Sequence, residues 1–209
     1  GDMTDPSYQT GVLVRPTSSS FAYGCITAKG PGARWATQAI SVDASLSTGG
    51  SGGFAAVGGA YFRPMAGDMG LISGGNSQLL AANGSALYWD SDFNHASHVF
   101  GEGDPDSQTL AFAINDSTIS MNSPLHFDDN PGYWVVAWAE QNSFVQYYQN
   151  IAFTGVHPTG QRILIRENSR GNTRQASSAI PGDSWDSTGY APAVDASSQF
   201  QINGVLYSS

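Results

Sequence analysis

The sequence predicts an all-β protein, a two-sheet antiparallel β-sandwich of the jelly-roll type, and three observations lead there. Short apolar runs bounded by Gly, Pro, Asn, Asp or Ser recur from end to end. No window holds a sustained helical period of apolar residues. The chain has fourteen Asp but only three Glu and one Lys; Asp serves turns, whereas Glu and Lys populate helix surfaces. More than a dozen short strands in 209 residues fit two packed sheets. Domains of this kind often reach this length undivided, so residues 1–209 are read as one domain.

Taken in order, the expected strands lie in "GVLVRP", "FAYGCITA", "RWATQAISVDA", "GGFAAVGGAYFRP", "MGLIS", "SALYW", "HASHVF", "TLAFAIN", "STISM", "YWVVAWAE", "SFVQYYQ", "IAFTGV", "QRILIRE" and "FQINGVLYSS". In "YWVVAWAE" the period of two sets Trp134, Val136 and Trp138 against Tyr133, Val135, Ala137 and Ala139. Both faces are apolar, as in a central strand covered on both sides or one bordering a groove. In "FVQYYQN" Phe144, Gln146 and Tyr148 oppose Val145, Tyr147 and Gln149. Two segments read as irregular: the glycine loop at 47–53 and the polar stretch 167–198. No internal repeat of fixed period is apparent.

A net charge of −9 argues against nucleic acid or an anionic membrane as the main partner, since both select a basic footprint. No apolar run approaches the roughly 20 residues of a membrane helix, so membrane insertion is not expected, and no signal peptide is visible at the start. The single cysteine, Cys25, excludes an intrachain disulfide and reads as a small buried strand residue.

From about residue 54 onward the order of "GGAYFRP", "MGLISGG", the Trp-bearing "YWVVAWAE", "QRILIRE" and "FQINGVLYSS" resembles the concanavalin A-like, laminin G-like jelly rolls. "EQNS" stands where that family often has Asp-Gly in the hairpin after the Trp strand. The resemblance implies a jelly roll, with calcium held near the rim of the ligand site. Its glucanase branch carries Glu-x-Asp-x-x-Glu on one strand; here Glu102, Glu140 and Glu167 are isolated, and paired-carboxylate glycosidase chemistry is not expected.

Other motifs are weak. "GGSGG" around Ser51 matches a nucleophile elbow in letters but lacks the strand-to-helix context. His95 and His98 would face opposite ways on an extended strand, which disfavours chelation. The acidic runs are better metal candidates: Asp90, Asp92 and Asn94, then Asp104 and Asp106, then Asp128 and Asp129 could give calcium its oxygen ligands, or could simply form turns. "DSDFNH" is not an EF-hand, because His95 takes the sixth position and Gly101 the twelfth.

Aromatics provide the ligand candidates. Trp89, Tyr147, Tyr148 and Trp185 could stack on sugar rings, with Trp134 in the core, one of Trp89, Trp185 or Tyr148 exposed, and the Tyr147/Tyr148 pair nearer the surface. The functional expectation is a non-catalytic, lectin-like carbohydrate-binding or adhesion domain. It would be extracellular or on a virion surface, binding glycan or cell-surface polysaccharide, with calcium and a homo-oligomer as options. A viral or phage structural protein (capsid, spike or tail-fibre domain) is the second reading, and a polysaccharide-active enzyme the third.

Overall fold

The computed structural model describes residues 12–15, 23–38, 40–44, 53–65, 69–70, 77–90, 97–100, 103–128, 132–147, 153–156, 158–173, 180–182, 193–202 and 205–208. Among them are strands and turns and no helix, as the composition predicts. The strands are not arranged as an antiparallel jelly-roll sandwich, however. They stack as a parallel β-solenoid in which strands three apart in the chain pair, up to the last rung, where β17 pairs β19 and β18 pairs β20.

The first sheet stacks β1 (Val12–Val14), β4 (Ile40–Val42), β7 (Met69–Gly70), β10 (Ser97–Phe100), β13 (Leu125–Phe127) and β16 (Phe153–Gly155). The second stacks β2 (Ile26–Lys29), β5 (Phe54–Val57), β8 (Ser77–Ala82), β11 (Gly103–Ile114), β14 (Gly132–Glu140), β17 (Thr159–Ile165) and β19 (Ala193–Val194). The third stacks β3 (Arg34–Gln38), β6 (Tyr61–Met65), β9 (Ala86–Trp89), β12 (Thr118–Met121), β15 (Phe144–Tyr147), β18 (Arg170–Thr173), β20 (Gln199–Ile202) and β21 (Val205–Tyr207). Within these sheets only β20 and β21 pair antiparallel. The stretch 167–198, read as irregular, contains β18, β19 and a tight turn; of the loop 47–53, only residue 53 is described.

The error in strand direction has a physical cause. At the corner joining the second and third sheets the chain turns through two residues with positive φ: Asn83–Gly84, Asn115–Asp116, Gln141–Asn142 and Glu167–Asn168. Two left-handed residues in a row also make the tight hairpin turn, and Asn and Asp tolerate that region best after Gly. Yet the strands flanking each turn do not pair with one another. On leaving Asn115–Asp116 the chain changes sheet, and β11 bonds to β8 and β14 while β12 bonds to β9 and β15.

A serine follows each of these turns, and its hydroxyl is the fastener. Ser85 Oγ accepts the N–H groups of Gly59 and Ala60, at 3.0 and 3.2 Å. Ser117 Oγ accepts from Ser85 N, Ser143 Oγ from Ser117 N, Ser169 Oγ from Ser143 N and Ser198 Oγ from Ser169 N, all between 3.0 and 3.2 Å. All five serines are at most 3% exposed. A backbone N–H bent out of the sheet ladder at a corner needs another acceptor, and the next rung's serine supplies it. The separations are 32, 26, 26 and 29 residues. "NGS", "NDS", "QNS" and "ENS" therefore form a repeat without fixed period.

Inside, side chains stack by register. Next to the corner the second sheet sends in Ala28, Ala56, Ala81, Ala113 and Ala139, all buried and succeeded by Ile165. Phe54, from the same sheet, meets Phe62 and Trp89 of the third sheet, tilted against the first and edge-on to the second. Gly171 lies under the Phe200 ring, where a Cβ would come within 2.5 Å of the ring carbons. In β14 a bulge sets Tyr133 and Trp134 against the single residue Gly160, whose φ of +109° and contact with the Tyr133 carbonyl leave no room for a side chain. Tyr133, Val136, Ala137 and Ala139 are buried, whereas Trp134, expected in the core, is 38% exposed.

At the last described turn the device changes. The Asp195 carboxylate accepts the N–H of Glu167 at 2.6 Å and the N–H and hydroxyl of Ser197 at 3.0 and 2.8 Å. Burial would raise its pKa, but these hydrogen bonds, with one from the Ser198 hydroxyl, outweigh it and hold the carboxyl at about 2.

Two outcomes follow. Ser143→Ala leaves the buried Ser117 N–H without its acceptor and should cost about 1–3 kcal/mol in a urea-unfolding midpoint experiment, whereas the outward Thr118→Ala should cost much less. Asp195 has a folded pKa below the unfolded value near 3.9, so its contribution is complete above roughly pH 4 and is lost as pH falls toward 2. The stability gap between the native protein and Asp195→Asn should therefore close over that window; a gap unchanged at pH 2.5 would refute the assignment.

Candidate ligand-binding groove

The corner and the strands leaving it build a concave surface from the backbone outward. In the third sheet β9, β12, β15, β18 and β20 each leave a serine with one side chain outward, then one inward. Thr118, Phe144 and Arg170 are register partners on successive rungs, all pointing away from the core. Their backbones are fixed by Phe144 N to Ser117 O at 2.8 Å and Arg170 N to Ser143 O at 2.9 Å. Beside them the turn residues Asn142 and Asn168 also lie outward, linked through the Asn142 N–H to the Glu167 carbonyl at 2.9 Å. With Ser143 these residues line a groove of about 560 Å³. The size suits a small ligand or a short stretch of a longer one.

The groove joins a flat apolar ring to two amides, a hydroxyl and a guanidinium. Among the described residues Arg15 and Arg63 pair with Asp43 and Asp90, but Arg170 has no carboxylate partner. On the other side of the corner Glu140, which the sequence reading treated as isolated, sits close to Glu167. Burial first, then the Glu167 carboxylate, raises the Glu140 pKa, while Arg166 and the Trp138 indole lower it. The outer face of the second sheet carries Phe112 stacked on Trp138, with centroids 4.4 Å apart, and Trp134 edge-on to Trp138 at 4.9 Å.

The residues expected to hold ligand are placed differently. Trp89 and Tyr147 are both 0% exposed in the core, so their rings have no surface to offer a sugar. Tyr148 and Trp185 lie outside the described residues. Of the acidic runs, Asp90 is mostly buried and accepts from Arg63 Nε at 2.7 Å. Asp104 and Asp106 fall within strand β11. Asp128 lies 3.8 Å from His126, whose ring meets the Thr154 hydroxyl at 2.8 Å. Asp92, Asn94, Asp129, His95 and Ser51 lie outside the described residues. No group of three or more His, Cys, Asp or Glu is gathered among the described residues. Cys25 is half-buried, and burial pushes its thiol up to about 11, so it is not poised as a nucleophile.

Phe144, Asn142, Asn168 and Arg170 were not singled out from the sequence. The available signal was positional: each ring or guanidinium stands immediately after a turn serine, in "QNSF" and "ENSR".

No family model, curated protein or solved structure matches the chain. Nothing in these comparisons identifies a concanavalin A-like relative, and the parallel solenoid differs from the antiparallel jelly roll that the resemblance implied.

Proposed function

We propose that this protein is a non-catalytic carbohydrate-binding module that holds glycan in the corner groove. The observation that carries this reading is the Phe144 ring flanked by Asn142, Asn168, Thr118 and Arg170 on a hydrogen-bonded parallel sheet. A sugar presents an apolar C–H face and a rim of hydroxyls; a ring bordered by amides and a hydroxyl answers both. The groove rests on stacked rungs rather than a free loop, so little ordering cost accompanies binding. The rungs lie about 4.8 Å apart, which lets neighbouring positions act together along an extended chain.

A structural subunit that assembles through its surface is the second reading. It draws on Val205 and Leu206, 58% and 57% exposed on the outermost strand β21 of the third sheet. An exposed apolar edge strand of this kind offers both backbone and side chains to another chain.

A glycan array tests the first reading. The protein should retain a defined set of glycans, and Phe144→Ala should weaken that binding by about tenfold or more while leaving the thermal midpoint within a few degrees. A blank array, together with a stable oligomer by light scattering that Leu206→Asp dissociates, would replace it with the structural reading.

A further inference from the structure

We infer that the groove selects an acidic sugar, one whose ring carries a carboxylate or sulfate, and that Arg170 is the residue that reads the anion. The inference rests on the glycan-binding reading above and makes it more specific. Arg170 is exposed at the groove wall, one rung from Phe144, and lacks a carboxylate partner among the described residues. Arg15 and Arg63, by contrast, are each held by an Asp on the neighbouring rung, in the fold's own network. Arg34 and Arg166 likewise form no ion pair with a carboxylate among the described residues, so what sets Arg170 apart is its place in the groove lining.

The chemistry of the site suits that role. A guanidinium offers a planar fork of donors that matches the two oxygens of a carboxylate or two of a sulfate. The lining nearest to it is neutral: the amides of Asn142 and Asn168 and the hydroxyl of Thr118 can donate to ring oxygens or accept from sugar hydroxyls, and Phe144 supplies the flat face. Asp116 and Glu167 stand on the adjacent turn positions but do not line the groove. The protein's net charge of −9 opposes an anionic ligand at long range. That repulsion is largely screened beyond about 8 Å at physiological salt, whereas a direct forked contact is not. The expected signature is thus selectivity set by one contact and not by the overall field.

Calorimetric titration with a glucuronate-containing tetrasaccharide and its carboxyl-reduced neutral counterpart tests this. The native protein should bind the acidic form about tenfold or more tightly than the neutral one. Arg170→Gln should erase that preference, lowering affinity for the acidic form about tenfold or more, and Arg170→Lys should restore only part of it, since it returns the charge without the fork. A sulfated tetrasaccharide of the same backbone distinguishes the two anions and should follow the same pattern. Equal affinity for acidic and neutral forms, or a preference that survives Arg170→Gln, would overturn the inference and leave glycan binding standing. Failure of every glycan on the array to bind the native protein would remove both.

Discussion

The backbone N–H that leaves the sheet at each corner, and the serine hydroxyl that meets it one rung further on, are the contact on which the remaining structure depends. A parallel stack can satisfy its straight segments by strand pairing alone. The bends are the difficulty, because a buried donor without an acceptor costs more than an ordinary hydrogen bond gives. Ser85, Ser117, Ser143, Ser169 and Ser198 solve it in series, each accepting from the rung before. The paired left-handed residues ahead of them make the bend sharp enough for the next strand to enter a new sheet. At the last described turn the Asp195 carboxylate adds a second acceptor beside Ser198, taking the Glu167 N–H, and β21 then runs antiparallel to β20.

That same fastening produces the candidate site. Because every rung leaves the corner in one register, the residue after each serine falls in a common outward column: Ala86, Thr118, Phe144, Arg170 and Gln199. The turn positions form a neighbouring column, in which the Asn115 amide donates to the Asn83 side chain at 3.0 Å. Ligand chemistry can therefore vary rung by rung without touching the core, since the inward positions alone determine packing. The groove between Thr118 and Arg170 is the place where that variation brings ring, amides and guanidinium together.

How much of this the sequence disclosed follows from which physical signal each feature leaves. Strand content and inward-outward order are legible because alternation reports burial: Val145 and Tyr147 face in, Phe144 and Gln146 out. Strand direction leaves no such trace, and the Asn-Gly and Asn-Asp turns that mark corners here serve hairpins equally well. The serine repeat is hidden by unequal spacing, 32 residues in one turn and 26 in the next. Trp134 was expected inside because of its residue type; the alternation holds, with Trp134 and Trp138 together on the outer face and Tyr133, Ala137 and Ala139 in the core. Tyr147 and Trp89 suggested ligand contacts by residue type, although both occupy inward columns. The groove stayed out of sight because Asn142, Phe144, Asn168 and Arg170 belong to two segments 26 residues apart, joined only by the parallel register.

The most direct test of the account is a nuclear Overhauser map of the backbone around Ser117, Ser143 and Ser169. A parallel solenoid fastened by its serines predicts same-direction interstrand contacts that advance in step, Thr118 to Phe144 and Phe144 to Arg170, and then Met121 to Tyr147 and Tyr147 to Thr173. Close Hα–Hα contacts between β11 and β12, or between β14 and β15, running in opposite directions across the Asn115–Asp116 and Gln141–Asn142 turns, would show hairpins instead and contradict the solenoid, the ladder and the groove together.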